Sequence, residues 1–200
     1  MKTHSKKVAF DQLMAQIQSC ERCQRLKGRT RVFSHRNGSL DARVLFVAEA
    51  PGRLGADQTG IPLCGDQTGR NFEMLLASVN WKREDVFITN AILCNPRDES
   101  GNNDKPQKAE ICNCVRFLER TIEIVEPRIV VSLGKQALNA LAVIEQHHLK
   151  LRENVGQDFA WNGIHLMPLY HPSQQVCNIH RNLKLQQEDF WRLRDLLARF

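Results

Sequence analysis

No stretch of this 200-residue sequence approaches the roughly 20 consecutive apolar residues that a membrane-spanning helix requires, so a membrane partner is not expected. Nor is export expected. The N-terminus Met1-Lys2-Thr3-His4-Ser5-Lys6-Lys7 is charged, but an amphipathic pattern follows it instead of an unbroken apolar core. There is no internal repeat and no low-complexity linker, and the length does not demand a second core; one domain over residues 1–200 is expected. Gly65-Asp66-Gln67-Thr68-Gly69-Arg70 lacks the Lys-Ser/Thr pair of a nucleotide-triphosphate loop, which speaks against a kinase or ATPase.

What is present points elsewhere. A hydrophobic content of 42% supports one sizeable core, and a formal net charge of +6 is compatible with a polyanionic partner. Seven cysteines, an odd number without an export signal, argue for thiols or metal ligands and a reducing, cytoplasmic compartment.

Four short runs rich in Val, Ile and Leu read as buried strands: Arg43 to Ala48, Val86 to Asn90, Arg128 to Leu133 and Ile164 to Tyr170. Helical periods lie around them. Val8 to Ile17 reads as one helix; Ile111, Val115, Leu118, Ile122 and Val125 form the apolar stripe of another; Leu183, Phe190, Leu193 and Leu197 mark a closing helix. This alternation predicts an α/β fold, a three-layer α/β/α sandwich around a central, mostly parallel four-stranded sheet, with function at the carboxyl ends of its strands. Asn95 to Pro106 reads as a long loop.

Three of these strands run into polar loops. Ala48-Glu49-Ala50-Pro51-Gly52 places a carboxylate at a strand end, Thr89-Asn90 an amide, and Tyr170-His171-Pro172-Ser173 an imidazole. Together such groups can activate water, read a heteroaromatic edge and stabilise an anion. Each has a plainer reading: Asn90 can satisfy loop backbone, and Glu49 can serve an ion pair or a helix terminus. His147 and His148 follow a helix and are assigned no role. The Gly-rich stretch from Gly55 to Gly69 is suited to a backbone phosphate at the start of the next helix.

Cys20-Glu21-Arg22-Cys23 is a CxxC pair, and Cys94 and Cys114 flank the irregular loop. Four thiolates make a closed site, and spacing alone leaves zinc and a 4Fe-4S cluster both open. Cys112 can stand in for Cys114; Cys64 and Cys177 read as free loop thiols.

Taken in order, Cys20-x-x-Cys23, Ala48-Glu49-Ala50-Pro51-Gly52, Ile88-Thr89-Asn90, Cys94-Asn95-Pro96, Glu110-Ile111-x-x-Cys114, Leu133-Gly134 and His171-Pro172-Ser173 resemble the iron-sulfur uracil-DNA glycosylases of family 4, from Cys20 to the final helix. Gly55 to Asp66 and Tyr170 to Gln175 look closer to family 5. The resemblance implies a monomer acting on DNA that contains uracil or another deaminated base. It implies a 4Fe-4S cluster on Cys20, Cys23, Cys94 and Cys114, in preference to zinc, held partly by an N-terminal cluster-binding segment. It also implies a pocket for a flipped base, bounded by Ala50, Leu63 and Asn90, with His171 and a carboxylate as catalytic groups. Glu49 follows family 4 and Asp66 matches a family 5 position; Glu49 is favoured. Leu63 stands where these families usually carry an aromatic residue, and leucine offers no π-face. Ser173, Gln174, Gln175 and Arg181, in the segment after the His171 motif, are placed to contact DNA and to wedge into the duplex.

Overall fold

The computed structural model describes residues 3–200. Helix α1 (Thr3–Gln18) precedes β1 (Val44–Ala48), the short α2 (Ala56–Thr59), α3 (Gln67–Ala77), β2 (Phe87–Asn90), α4 (Lys108–Val125), β3 (Ile129–Leu133), α5 (Lys135–Ile144), α6 (Leu151–Asn154), β4 (Phe159–Trp161), β5 (Ile164–Leu169), α7 (Gln174–Ile179) and α8 (Leu183–Leu197). The sheet order is β2-β1-β3-β5-β4. β1 pairs in parallel with β2 and β3, β3 pairs in parallel with β5, and β4 runs antiparallel to β5.

The sheet therefore has five strands where four were expected. All four expected strands form, and together they are its parallel part. The fifth, β4, joins β5 through Asn162 and Gly163, both at positive φ of 49° and 71°. Asn-Gly is the pair that a two-residue hairpin turn favours, because both central residues must enter the left-handed region.

Strand alternation builds two cores. Val44, Phe46 and Ala48 of β1, with Ile129, Val131 and Leu133 of β3, face a cluster that holds Phe72, Leu75 and Leu76 of α3 and Phe190 and Leu193 of α8. Leu45, Val47 and Val130 point the other way, into a cluster with Phe10, Leu13 and Ile17 of α1, Leu118 and Ile122 of α4, and Leu138 and Leu141 of α5. Because the central strands are covered on both faces, they read as continuous apolar runs. Two helix starts are set locally, the Asp66 side chain accepting from the Gly69 N–H to start α3 and Asn182 from the Leu185 N–H to start α8, whereas the end of α4 is held from afar, buried Lys6 of α1 donating to the Val125 carbonyl. Among the described residues, no helix is long and apolar enough to cross a membrane.

β1 lies between β2 and β3, so the chain leaves it first towards one side and later returns on the other. In open sheets of this kind, ligands bind in the crevice beyond the strand carboxyl ends where the order reverses. Here that point is occupied by Glu49 after β1 and Gly134 after β3.

Candidate active site and cysteine cavity

A cleft of about 970 Å³ opens at this edge, and its wall includes Glu49, Ala50, Leu63, Asp66, Gly134 and His171. The sheet fixes the Glu49 backbone beyond the end of β1: the Ala91 N–H donates to the Ala48 carbonyl and the Ile92 N–H to the Glu49 carbonyl. The Glu49 side chain is half-buried and has no hydrogen-bond partner among the described residues; burial raises its pKa, opposed by the charge of Lys105. It is a carboxylate held in place but left free at its tip.

His171 follows β5. Burial lowers its pKa to about 4, against a smaller opposing effect of Asp66, so the imidazole is neutral near physiological pH. Its turn is anchored by Asn71 of α3, whose Nδ2 donates to the Pro172 carbonyl at 2.8 Å. Gly134, at φ +94°, lies beside it: a Cβ added there would stand in ordinary van der Waals contact, 3.5 Å from the His171 Cβ.

Asp66 shares the cleft but is otherwise engaged. Its Oδ1 accepts the Gly69 N–H at 2.9 Å, and its Oδ2 lies so close over Gly55 that a Cβ there would come within 2.6 Å. Leu63 is 8% exposed and adopts φ +48°, the left-handed region that costs a branched side chain strain. Arg83 holds the loop that carries it, donating to the Leu63 carbonyl at 3.2 Å and to the Pro62 carbonyl.

Asn90, expected on the base-reading wall, is 2% exposed and is not part of the cleft surface. It sits at the end of β2 beside Ala48, and its Nδ2 is buried without a partner. An orphaned amide hydrogen donor costs on the order of 1–3 kcal/mol, which a ligand acceptor would recover.

The residues expected to contact DNA divide. Ser173 lines the cleft and caps α7, while Gln174 and Gln175 are exposed on its first turn and Ile179 at its end is 65% exposed. Arg181 differs from them: its guanidinium makes a two-pronged bond to Asp189 of α8, Nη2 to Oδ1 at 2.7 Å and Nε to Oδ2 at 2.5 Å. Groups that sequence reading passed over include Lys135 on the cleft wall, and Asn71 and Arg83, which hold loops of the cleft from outside its lining; the partners of these last two lie on distant segments, and no local period marks them.

Cys20, Cys23, Cys94 and Cys114 line a second, separate cavity, together with Ile92, Leu93, Asn113 and Phe117. All seven cysteines are free. Burial pushes the Cys94 thiol up to about 11 and the Cys114 thiol to about 12, with the neighbouring cysteines acting in the same direction. Asn113 Nδ2 contacts the Cys23 Sγ at 3.5 Å, and Arg25 ties the CxxC segment to α4 through both Glu110 oxygens at 2.8 Å. Cys112 is exposed and outside this cavity; Cys64 and Cys177 are elsewhere. Among the described residues, no group of three or more His, Cys, Asp or Glu side chains is placed to hold a metal ion.

The family model "Uracil DNA glycosylase superfamily" matches residues 35–196. The type-4 uracil-DNA glycosylase of Saccharolobus solfataricus is 30% identical over 198 residues, covering 94% of this chain and 87% of that protein. The type-4 enzyme of Thermotoga maritima is 32% identical over 169 residues, covering 84% and 83%. A type-5 uracil-DNA glycosylase, from Pyrobaculum aerophilum, is 28% identical over 208 residues, covering 90% and 89%. With a family match across most of its length, and with the cleft at the sheet edge where the motifs converge, this chain belongs to the uracil-DNA glycosylase superfamily.

Proposed function

We propose that this protein is a DNA repair enzyme that hydrolyses the N-glycosidic bond of uracil in DNA. The observation that carries the reading is the pairing, in one cleft, of an unpartnered Glu49 carboxylate with a neutral His171. Breaking the bond sends its electron pair to the departing base and leaves positive charge on the sugar. The His171 N–H donates to the oxyanion growing on the base, for which the neutral ring suffices. Glu49 favours the cationic sugar and orients the water that adds to it, and that water's proton is lost through the carboxylate. A base seated deeply enough to reach Asn90, which lies buried at the end of β2 outside the cleft surface, would meet an unpaired Nδ2 suited to uracil O4 and a carbonyl suited to N3–H; cytosine presents the opposite polarity at those two positions.

Cys20, Cys23, Cys94 and Cys114 fit a cluster site, since four free thiols share one cavity and thiolates gathered there are stable only when a cation is among them. They would hold a 4Fe-4S cluster, which supplies a cross-link between the CxxC segment and the loop before α4 and takes no part in the bond cleavage. Seven free thiols fit a reducing, intracellular setting.

One observation favours a wider substrate range. Leu63 bounds the cleft with apolar surface and no aromatic plane, which relaxes the demand on ring shape. A base-release panel on DNA containing uracil, hypoxanthine or xanthine, with enzyme in excess, tests both readings. Uracil release alone supports the narrow one. Tight DNA binding without any abasic product would overturn both and leave a non-catalytic DNA-binding module.

A further inference from the structure

We infer that Asn95 and Asn103 are positioning residues that bracket the turn after Glu49 and thereby set where its carboxylate stands, an inference that rests on the catalytic reading of Glu49 given above. The Asn95 Nδ2 donates to the Pro51 carbonyl at 2.6 Å and to the Asn103 Oδ1 at 2.9 Å. The same Asn103 Oδ1 accepts the Arg53 N–H at 2.9 Å. Both ends of the turn Pro51-Gly52-Arg53 are thus held by one pair of amides, and the two amides hold each other.

The orientation of Asn95 is fixed from behind. Its Oδ1 accepts from Arg97 Nε at 2.8 Å, and Arg97 in turn reaches Asp57 of α2 through Nη2. Turning the amide over would set its oxygen against two carbonyl-type acceptors and its NH₂ against a guanidinium, so only one orientation satisfies all three partners. Asn95 is 1% exposed and both its amide atoms are paired, so this buried end of the network holds its orientation, while Asn103 is exposed and Asp57 Oδ1 is buried without a partner among the described residues.

The bracket originates in the loop that follows Cys94. Since Ile92, two residues before Cys94, donates its N–H to the Glu49 carbonyl, the segment Ile92 to Asn95 touches the catalytic turn both before and after Ala50. Glu49 itself has no side-chain hydrogen-bond partner among the described residues, so its backbone is the bonded anchor of its position. A displacement of roughly 1 Å in a reacting group can cost about 10²-fold in rate, which makes a backbone bracket a lever on chemistry and not on binding.

The polarity of the two amides gives the test. Asn95→Asp cannot donate and places a carboxylate against the Pro51 carbonyl; Asn103→Asp keeps an acceptor for both of its donors; Asn103→Ala keeps nothing. Single-turnover uracil release, the dissociation constant for uracil-containing DNA, and thermal midpoint are measured for each, beside the unsubstituted protein and Glu49→Gln. The expected result is a fall in rate of about tenfold or more for Asn95→Asp, a smaller fall for Asn103→Ala and near-normal rate for Asn103→Asp, with DNA affinity unchanged throughout. Hydrogen exchange at the Arg53 amide reads the bracket without substrate: it should accelerate in Asn103→Ala and not in Asn103→Asp, while the β1 amides stay protected. A normal rate in Asn95→Asp, a rate loss no larger than the loss of folded protein, or unchanged Arg53 exchange in Asn103→Ala each overturns the inference. If the unsubstituted protein releases no uracil, the catalytic reading fails, and the exchange measurement still decides whether the bracket exists.

Discussion

One carboxylate oxygen of Asp66 accepts the Gly69 N–H at 2.9 Å, and so starts helix α3 from inside the cleft. Glu49, across the same cleft, has neither oxygen hydrogen-bonded among the described residues. The two acids therefore differ in availability as well as in place. Glu49→Gln is expected to lower single-turnover uracil release by roughly 10²-fold or more with DNA binding kept. Asp66→Asn is expected to cost less, because asparagine caps a helix about as well as aspartate, whereas Asp66→Ala should lose about 1 kcal/mol of stability. A larger rate loss in Asp66→Asn than in Glu49→Gln would reverse the assignment.

The pH dependence follows from the same pair. His171, with its pKa lowered to about 4, stays neutral through the range where a free histidine titrates, and Glu49 ionises later than an ordinary carboxylate because burial opposes its charge. The rate should rise with pH as Glu49 ionises, show no step near pH 6.5, and lose its acid limb in Glu49→Gln. Stability carries two opposite signs. The depressed His171 contributes stability that is fully present above its unfolded value near 6.5 and is lost as pH falls towards about 4, since the unfolded chain then binds the extra proton. The raised Glu49 acts the other way, so Glu49→Gln should melt higher than the unsubstituted protein at neutral pH. Melting curves across pH for Glu49→Gln and a His171→Gln variant separate the two; equal pH slopes in His171→Gln and the unsubstituted protein would show that His171 is not held neutral.

Much of this architecture is legible from local pattern. The four parallel strands announce themselves because both faces of each are covered, and the rim residues Glu49 and His171 because polar groups follow directly on apolar runs. β4 escaped notice because Phe159-Ala160-Trp161 is only three residues long, although the Asn162-Gly163 pair beside it is a hairpin signal. Partnerships such as Asn95 with Pro51, or Asn71 with Pro172, join segments 44 and 101 residues apart, and no periodicity carries that information. The withdrawal of Asn90 from the cleft wall has the same origin: its place at the end of β2 was readable, but its burial depends on how the neighbouring loops close over it.

The orphaned Asn90 amide makes a directional prediction. Asn90→Asp replaces a donor by an acceptor at the atom offered to uracil O4, so uracil release should fall by 10-fold or more, on the order of 1–3 kcal/mol of lost recognition, while affinity for undamaged DNA hardly changes. Equal losses in both measurements would point to misfolding.

For the cysteine cavity, iron and sulfide analysis of anaerobically purified protein is expected to give one 4Fe-4S cluster per chain. Cys20→Ser should lower the thermal midpoint more than it lowers the rate of the protein that remains folded, whereas Cys112→Ser, outside the cavity, should change neither. Colourless protein with one zinc per chain would overturn the cluster assignment.

Arg181 was expected to meet DNA, but its guanidinium is already matched to Asp189, which is 1% exposed and joins α8 to the end of α7. Burial raises the Asp189 pKa in spite of that partner, so the carboxylate depends on the guanidinium to remain charged. Removing one member of a buried pair typically costs about 3–5 kcal/mol, because the other is left uncompensated. Arg192, at 3.2 Å from the same carboxylate, is half-exposed and softens that loss only in part. Arg181→Ala should therefore destabilise the protein by several kcal/mol at neutral pH and by less in mild acid, where Asp189 takes up a proton and no longer needs a partner. A phosphate contact makes a different demand: its loss would reduce the slope of log affinity against log salt by about 0.9. Urea unfolding at two pH values, together with DNA binding across a salt series on folded protein, distinguishes the two. An unchanged salt slope with lowered stability identifies Arg181 as the clamp that sets the α7–α8 corner. A reduced slope with unchanged stability would mean that the guanidinium leaves Asp189 for the DNA backbone when the complex forms.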